Sequence, residues 1–178
     1  MRPDDAASAD LLTELELEQE LDRLRAQESF LAYYQRMTAY EPPRHVKVVA
    51  KFLQAMEDDK IDRGMLFMPP RHAKTTLASD LFPSWQLGKY ESVSIMCVSH
   101  TGTYAEQIGM SVRNRFWQPE WPFERALADD SQAKARFRTN AGGRFNGFGM
   151  QTGSQHGNPA DWLIMDDIVG GQQIALSS

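Results

Sequence analysis

The chain has 178 residues and a single cysteine, Cys97. No disulfide can close within it, which fits a reducing compartment. Cys97 lies inside the apolar run Val93-Ser-Ile-Met-Cys-Val98 and reads as a small buried hydrophobe. Basic charge is also short. Nineteen Lys and Arg face 24 Asp and Glu, a formal net charge of −5. Bulk coating of nucleic acid needs a basic protein, so any DNA contact here must be local. No apolar run approaches the length that spans a bilayer. The start, Met1-Arg-Pro-Asp-Asp5, lacks the apolar core of a signal peptide. The expectation is a soluble, intracellular protein. The histidines, at 45, 72, 100 and 156, have no metal-ligand spacing, which argues against zinc. No internal repeat is present.

What the chain does have is enough apolar residue, 42%, for one domain with a sizeable core. Residues 9–37 follow a helical pattern. Leu17, Leu21, Leu24 and Leu31 recur at three, four and seven, extended by Phe30, Tyr33, Tyr34 and Met37. Glu14, Glu16, Glu18, Glu20 and Asp22 mark the opposite, solvated face. One long surface helix is predicted, with partner binding as the other use of such a stripe. Glu41-Pro-Pro-Arg44 ends it, since proline lacks an amide donor and restrains its predecessor. A second helix places Val46, Val49, Ala50 and Leu53 on one side.

From residue 64 the pattern alternates strands with helices. A short apolar strand is predicted at 64–68, and buried strands at 93–98 and 162–165. Helices are predicted from Lys74 onward and through Ala105, Ile108, Val112 and Phe116. Residues 118–161 read as irregular, with short strands near 136–139 and 145–150. The alternation indicates an α/β fold with a mainly parallel sheet.

Met68-Pro-Pro-Arg-His-Ala-Lys74-Thr75 has the order a phosphate loop needs. A strand fixes its start, a turn aims amides inward, and a helix N-terminus faces the phosphates. The lysine then reaches the terminal phosphates and the next hydroxyl holds Mg²⁺. Pro70, Arg71, His72, Ala73, Lys74, Thr75 and Thr76 are therefore the expected nucleotide-binding residues, with ATP and Mg²⁺ as ligands. Met68 and Ala73 stand where the G-x-x-x-x-G-K-[ST] pattern has glycine. If position 73 requires a left-handed backbone, alanine costs roughly 1–2 kcal/mol there. A proline turn before a helix containing Lys-Thr would look much the same. The second half of the site decides between the two. Trp162-Leu-Ile-Met-Asp166-Asp167 puts two carboxylates at the sheet's carboxyl edge, where open α/β sheets bind ligands. Asp166 is expected to complete the Mg²⁺ shell with Thr75. Asp167 is expected to orient or deprotonate the attacking water. Arg71 could reach the γ-phosphate as a finger in cis or pair with an acid and hold the loop. His72 fits loop packing better than chemistry.

Together with Leu77-Ala-Ser79, Phe82-Pro-Ser-Trp85, Pro43-Arg-His45, Ile61-Asp-Arg63 and Leu163-Ile-Met-Asp-Asp167, the loop resembles the large terminase subunit of tailed bacteriophages. The resemblance covers roughly residues 12–168. It implies a P-loop NTPase-type domain at 45–178 behind a helical extension at 1–44. It implies the ATPase of a viral DNA-packaging motor, a homo-oligomeric ring in the complete protein. The ring works in the host cytoplasm and at the procapsid portal, with double-stranded DNA, the portal protein and the small terminase subunit as partners. Lys74 and Thr75 match the Walker A residues, Asp166 the Walker B carboxylate, Asp167 the catalytic acid and Arg71 the loop arginine. Ala73 departs from the family's glycine, and Thr152–Ala160 is only loosely like its glycine-rich approach to the Walker B strand. The likeness ends after Val169, so the chain is expected to hold most of the ATP site, to be incomplete at its C-terminus and to lack the nuclease domain. The rival expectations are a helicase-like DNA-dependent ATPase and an inactive remnant that acts as an interaction module through the 9–37 helix.

Two smaller patterns remain. Lys134, Arg136 and Arg138 alternate, which in a strand puts them on one face with Phe137 opposite. They suit a DNA-backbone contact or, more simply, a solvated edge strand. Phe116, Trp117, Trp121 and Phe123 suit a satellite core better than base stacking.

Overall fold

The computed structural model describes residues 3–150 and 159–169, with side chains described from residue 13 onward except at Gln132. The stretch 151–158, most of the expected glycine-rich approach, and residues 170–178 lie outside the described residues. The architecture is α/β. A five-stranded sheet has the order β2-β3-β4-β1-β5, from strands Ser94–Ser99 (β1), Leu127–Gln132 (β2), Arg136–Thr139 (β3), Arg144–Gly149 (β4) and Trp162–Met165 (β5). Helices flank it: Pro3–Glu28 (α1), Phe30–Thr38 (α2), Arg44–Glu57 (α3), Phe82–Lys89 (α4) and Gly102–Arg115 (α5).

The sheet is mixed, which corrects the expectation of a mainly parallel one. β1 runs parallel to both β4 and β5, but β2-β3 and β3-β4 are antiparallel. The reason is local. Asn140 to Gly143 is too short for a crossover and can only reverse the chain. Gly142, at φ 101, makes the reversal, and its amide donates to the Thr139 carbonyl at 3.1 Å.

The expected single N-terminal helix is two. Ser29 interrupts it with an extended backbone (φ −116, ψ 120), and its hydroxyl accepts from the Ala32 amide, as N-cap residues do. The apolar stripe is also shorter than its spacing suggests. Leu17, Leu21 and Leu24 are exposed, and packing begins at Ala26. From there Phe30, Tyr33, Tyr34 and Met37 join Val46, Val49, Ala50 and Leu53 of α3 and Leu77, Leu81, Phe82 and Trp85 in one core. A second core lies between α5 and the sheet: Ile108, Val112 and Phe116 meet Ile95, Cys97, Phe137 and Phe145. Trp121 bridges the two cores, against Phe116 at 4.3 Å and Phe123 at 5.1 Å between ring centroids. The satellite-core reading of these aromatics holds for Phe116, Trp121 and Phe123. Trp117 is exposed beneath the Arg113 guanidinium.

β3 alternates as expected, but it lies between β2 and β4 and is not the edge strand that was expected. Arg136 and Arg138 are exposed and Phe137 is buried. Arg138 pairs with Asp130, Arg136 covers the Phe148 ring, and Lys134 precedes the strand. Cys97 is fully buried, and burial pushes its thiol up to about 12. No helix among the described residues is long and apolar enough to cross a membrane.

Candidate functional site

The segment 64–69 was expected to be a strand. Among the described residues it joins no ladder. It still alternates as a strand does: Leu66 and Met68 pack on the first core, while Met65 and Phe67 are 81% and 88% exposed. Pro69 and Pro70 then lead into a turn. Two of its residues, Arg71 (φ 64) and Ala73 (φ 61), have left-handed backbones. The conformation that glycine would supply is therefore present, adopted by alanine and arginine. His72 stands between them. Its Nδ1–H donates to the Pro70 carbonyl at 2.9 Å, and its ring lies edge-on to His45 from α3, 5.4 Å between centroids. His72 itself is exposed. Arg71 is exposed and, among the described residues, holds no ion pair.

Lys74 and Thr75 open a helix that continues to Lys89. Thr75 and Thr76 are half-buried in its first turn. Between Thr76 and Leu81 the helix widens to π-type turns before α4 begins at Phe82. Pro83 accounts for this. It has no amide to donate to the Ser79 carbonyl, and its ring collides with that carbonyl in a regular helix. Widened turns open the space.

The second half of the site comes from β5. The Asp166 amide donates to the Val98 carbonyl at 2.9 Å, which extends the β1-β5 ladder to the carboxylate. Asp166 is 4% exposed. Its Oδ1 lies 3.5 Å from Lys74 Nζ and its Oδ2 accepts from Ser79 Oγ at 2.9 Å. The next residue turns away. Asp167 has φ 49 and its side chain is exposed. Its carbonyl accepts twice from His100, from the backbone amide at 3.3 Å and from ring Nδ1–H at 3.1 Å. The left-handed backbone is what points adjacent carboxylates in different directions, one into the protein and one into solvent.

One loop residue, Lys74, and one β5 acid, Asp166, thus meet at the carboxyl edge of β1 and β5. Lys74 meets Asp166 directly, Asp167 is adjacent, and Arg71 stands free on the loop. Ser79 and His100 had no predicted role. A serine in a helix and a histidine after a strand are both ordinary in sequence, and only the fold brings Ser79 to the Asp166 carboxylate and His100 to the backbone carbonyl of Asp167. Among the described residues no three His, Cys, Asp or Glu side chains form a protein-only cation cage. Asp166 is the one buried carboxylate at this strand end, and Lys74 and Ser79 are its side-chain partners among the described residues. The chain matches no family model, no curated protein and no solved structure.

Proposed function

We propose that this chain is the ATP-binding and ATP-hydrolysing module of a bacteriophage DNA-packaging motor of the large-terminase type, in which hydrolysis drives translocation of viral DNA in the complete protein. The observation that carries the nucleotide part is the 3.5 Å approach of Lys74 Nζ to Asp166. A loop lysine and a strand-end carboxylate, far apart in sequence, meet as a phosphate site requires. The motor itself rests on the sequence resemblance.

In this reading Lys74 leaves Asp166 for the β- and γ-phosphates as nucleotide enters. The backbone amides of residues 71–76, Pro70 having none, would face the phosphates. Thr75 and Asp166 would hold the cation, and Mg²⁺ there would supply neutralisation of phosphate charge. Asp167, exposed beside Asp166, orients the attacking water and accepts its proton. Arg71 is free to stabilise charge at the γ-phosphate.

Titration with a fluorescent ATP analogue tests the reading. Saturable, Mg²⁺-dependent binding is expected, and Lys74→Ala should abolish it. Binding that is absent, or indifferent to this substitution, would overturn the proposal.

One observation favours a second use of the chain. Leu17, Leu21 and Leu24 form an exposed stripe on α1, as on a helix that docks a partner. That stripe supports the interaction-module alternative, with or without turnover. Leu17→Glu with Leu21→Glu should then reduce self-association in sedimentation while leaving nucleotide binding intact.

A further inference from the structure

The phosphate-loop pattern assigns the hydroxyl beside the cation site to Thr75. The hydroxyl that actually contacts Asp166 belongs to Ser79, four residues later and therefore on the same helix face. Both partners are buried, Ser79 at 1% exposure and Asp166 at 4%. A buried carboxylate needs its lone pairs satisfied. Ser79 satisfies one oxygen, and the other is left turned toward Lys74. The widened turns before Pro83 contain Ser79. Its hydroxyl is therefore set by backbone that a regular helix would not have.

We infer that Ser79 is a positioning residue for cation binding. By holding Oδ2 of Asp166 it fixes the carboxylate plane and presents Oδ1 to a divalent ion arriving with nucleotide. Ser79 does not touch the ion. It stands to Asp166 as outer hydrogen-bond partners stand to metal ligands elsewhere, where their loss costs about 10–100-fold in metal affinity or activity. The inference rests on the proposed nucleotide site and adds a residue to it that the motif does not contain.

The test is a Mg²⁺ titration of fluorescent-ATP binding in the full chain, with wild type, Ser79→Ala, Ser79→Thr and Ser79→Cys. Ser79→Ala should raise the Mg²⁺ concentration for half-maximal binding at least about tenfold, yet reach the wild-type amplitude at saturating Mg²⁺. Ser79→Thr, which keeps the hydroxyl, should stay within about twofold of wild type. Should Ser79→Ala fail to give the wild-type circular dichroism, Ser79→Cys provides the same comparison with a weak donor of similar size. An unchanged Mg²⁺ midpoint in the folded variant overturns the inference and leaves the nucleotide site standing. Absence of nucleotide binding in the wild type overturns both.

Discussion

Arg115, near the end of α5, grips both oxygens of Asp80, at 3.1 Å from Nε and 2.6 Å from Nη2. Asp80 directly follows Ser79, so this ion pair clamps the widened turn to α5 at the point where the turn reaches Asp166. Both side chains are largely buried. Removing one partner of such a pair typically costs about 3–5 kcal/mol, because the other charge is left uncompensated. Arg115→Ala should lower stability by that amount in urea unfolding. Replacing both partners, as in Asp80→Leu with Arg115→Met, should recover most of the loss, since desolvated pairs contribute little beyond an apolar equivalent.

Ala73, at φ 61, adopts a backbone that costs an L-residue about 1–2 kcal/mol. Glycine removes that strain but adds freedom to the unfolded chain, roughly 0.4–1 kcal/mol. Ala73→Gly should therefore stabilise the protein by about 0.5–1 kcal/mol, seen as a higher urea midpoint at unchanged slope. Ala73→Val should move the midpoint the other way. Arg71→Gly relieves the same kind of strain at φ 64. Under the proposed function it should nevertheless slow turnover, by up to about 10³-fold if the guanidinium acts on the γ-phosphate.

The two carboxylates should fail differently. Asp167→Asn should leave Mg²⁺-dependent nucleotide binding near wild type and lower kcat by about 10²–10⁴-fold, the usual contribution of a positioned acid or base. Asp166→Asn should weaken the binding itself. His100→Phe removes the ring donor from the Asp167 carbonyl and should lower kcat, by up to about 10²-fold, with little change in KM. Single-turnover hydrolysis beside equilibrium binding separates these outcomes.

Cys97 should be silent. With its thiol raised to about 12 by burial and by the Asp166 carboxylate together, almost none of it is thiolate at pH 8. Alkylation of the native protein should be negligible and should become complete in denaturant. Fast labelling of the native state would contradict the packing of β1.

What could be read from sequence was what burial writes into it. α3, α5 and β1 carry apolar residues at their own periods, and each forms close to where its pattern lies. β5 also forms where its apolar run lies, but it is an edge strand with Leu163 and Met165 exposed, not the buried strand that the run suggested. β2 could not be read, because Leu127-Ala-Asp-Asp-Ser-Gln132 is a polar edge strand that exists by pairing with β3. Leu17, Leu21 and Leu24 misled because spacing defines a face without supplying anything to cover it. The candidate site divides the same way. Lys74, Asp166 and Asp167 stand in recognisable order. Ser79 depends on a helix widened by Pro83, and His100 on a neighbouring strand end. Both are tertiary facts.

The unpaired stem at 64–69 has a thermodynamic consequence for the loop it feeds. On one side the loop joins a helix seated in the core. On the other it hangs from backbone amides that, among the described residues, have no ladder partner. Amide hydrogen exchange should be fast over 64–69 and slow over 77–88. Under the proposed function, a loop with one compliant end would hold its binding geometry only part of the time, and apparent affinity would fall by that fraction. Any strand that came to pair with 64–69 would then stiffen the stem and tighten phosphate binding without touching the phosphate. By reciprocity, bound nucleotide would strengthen that pairing by the same factor.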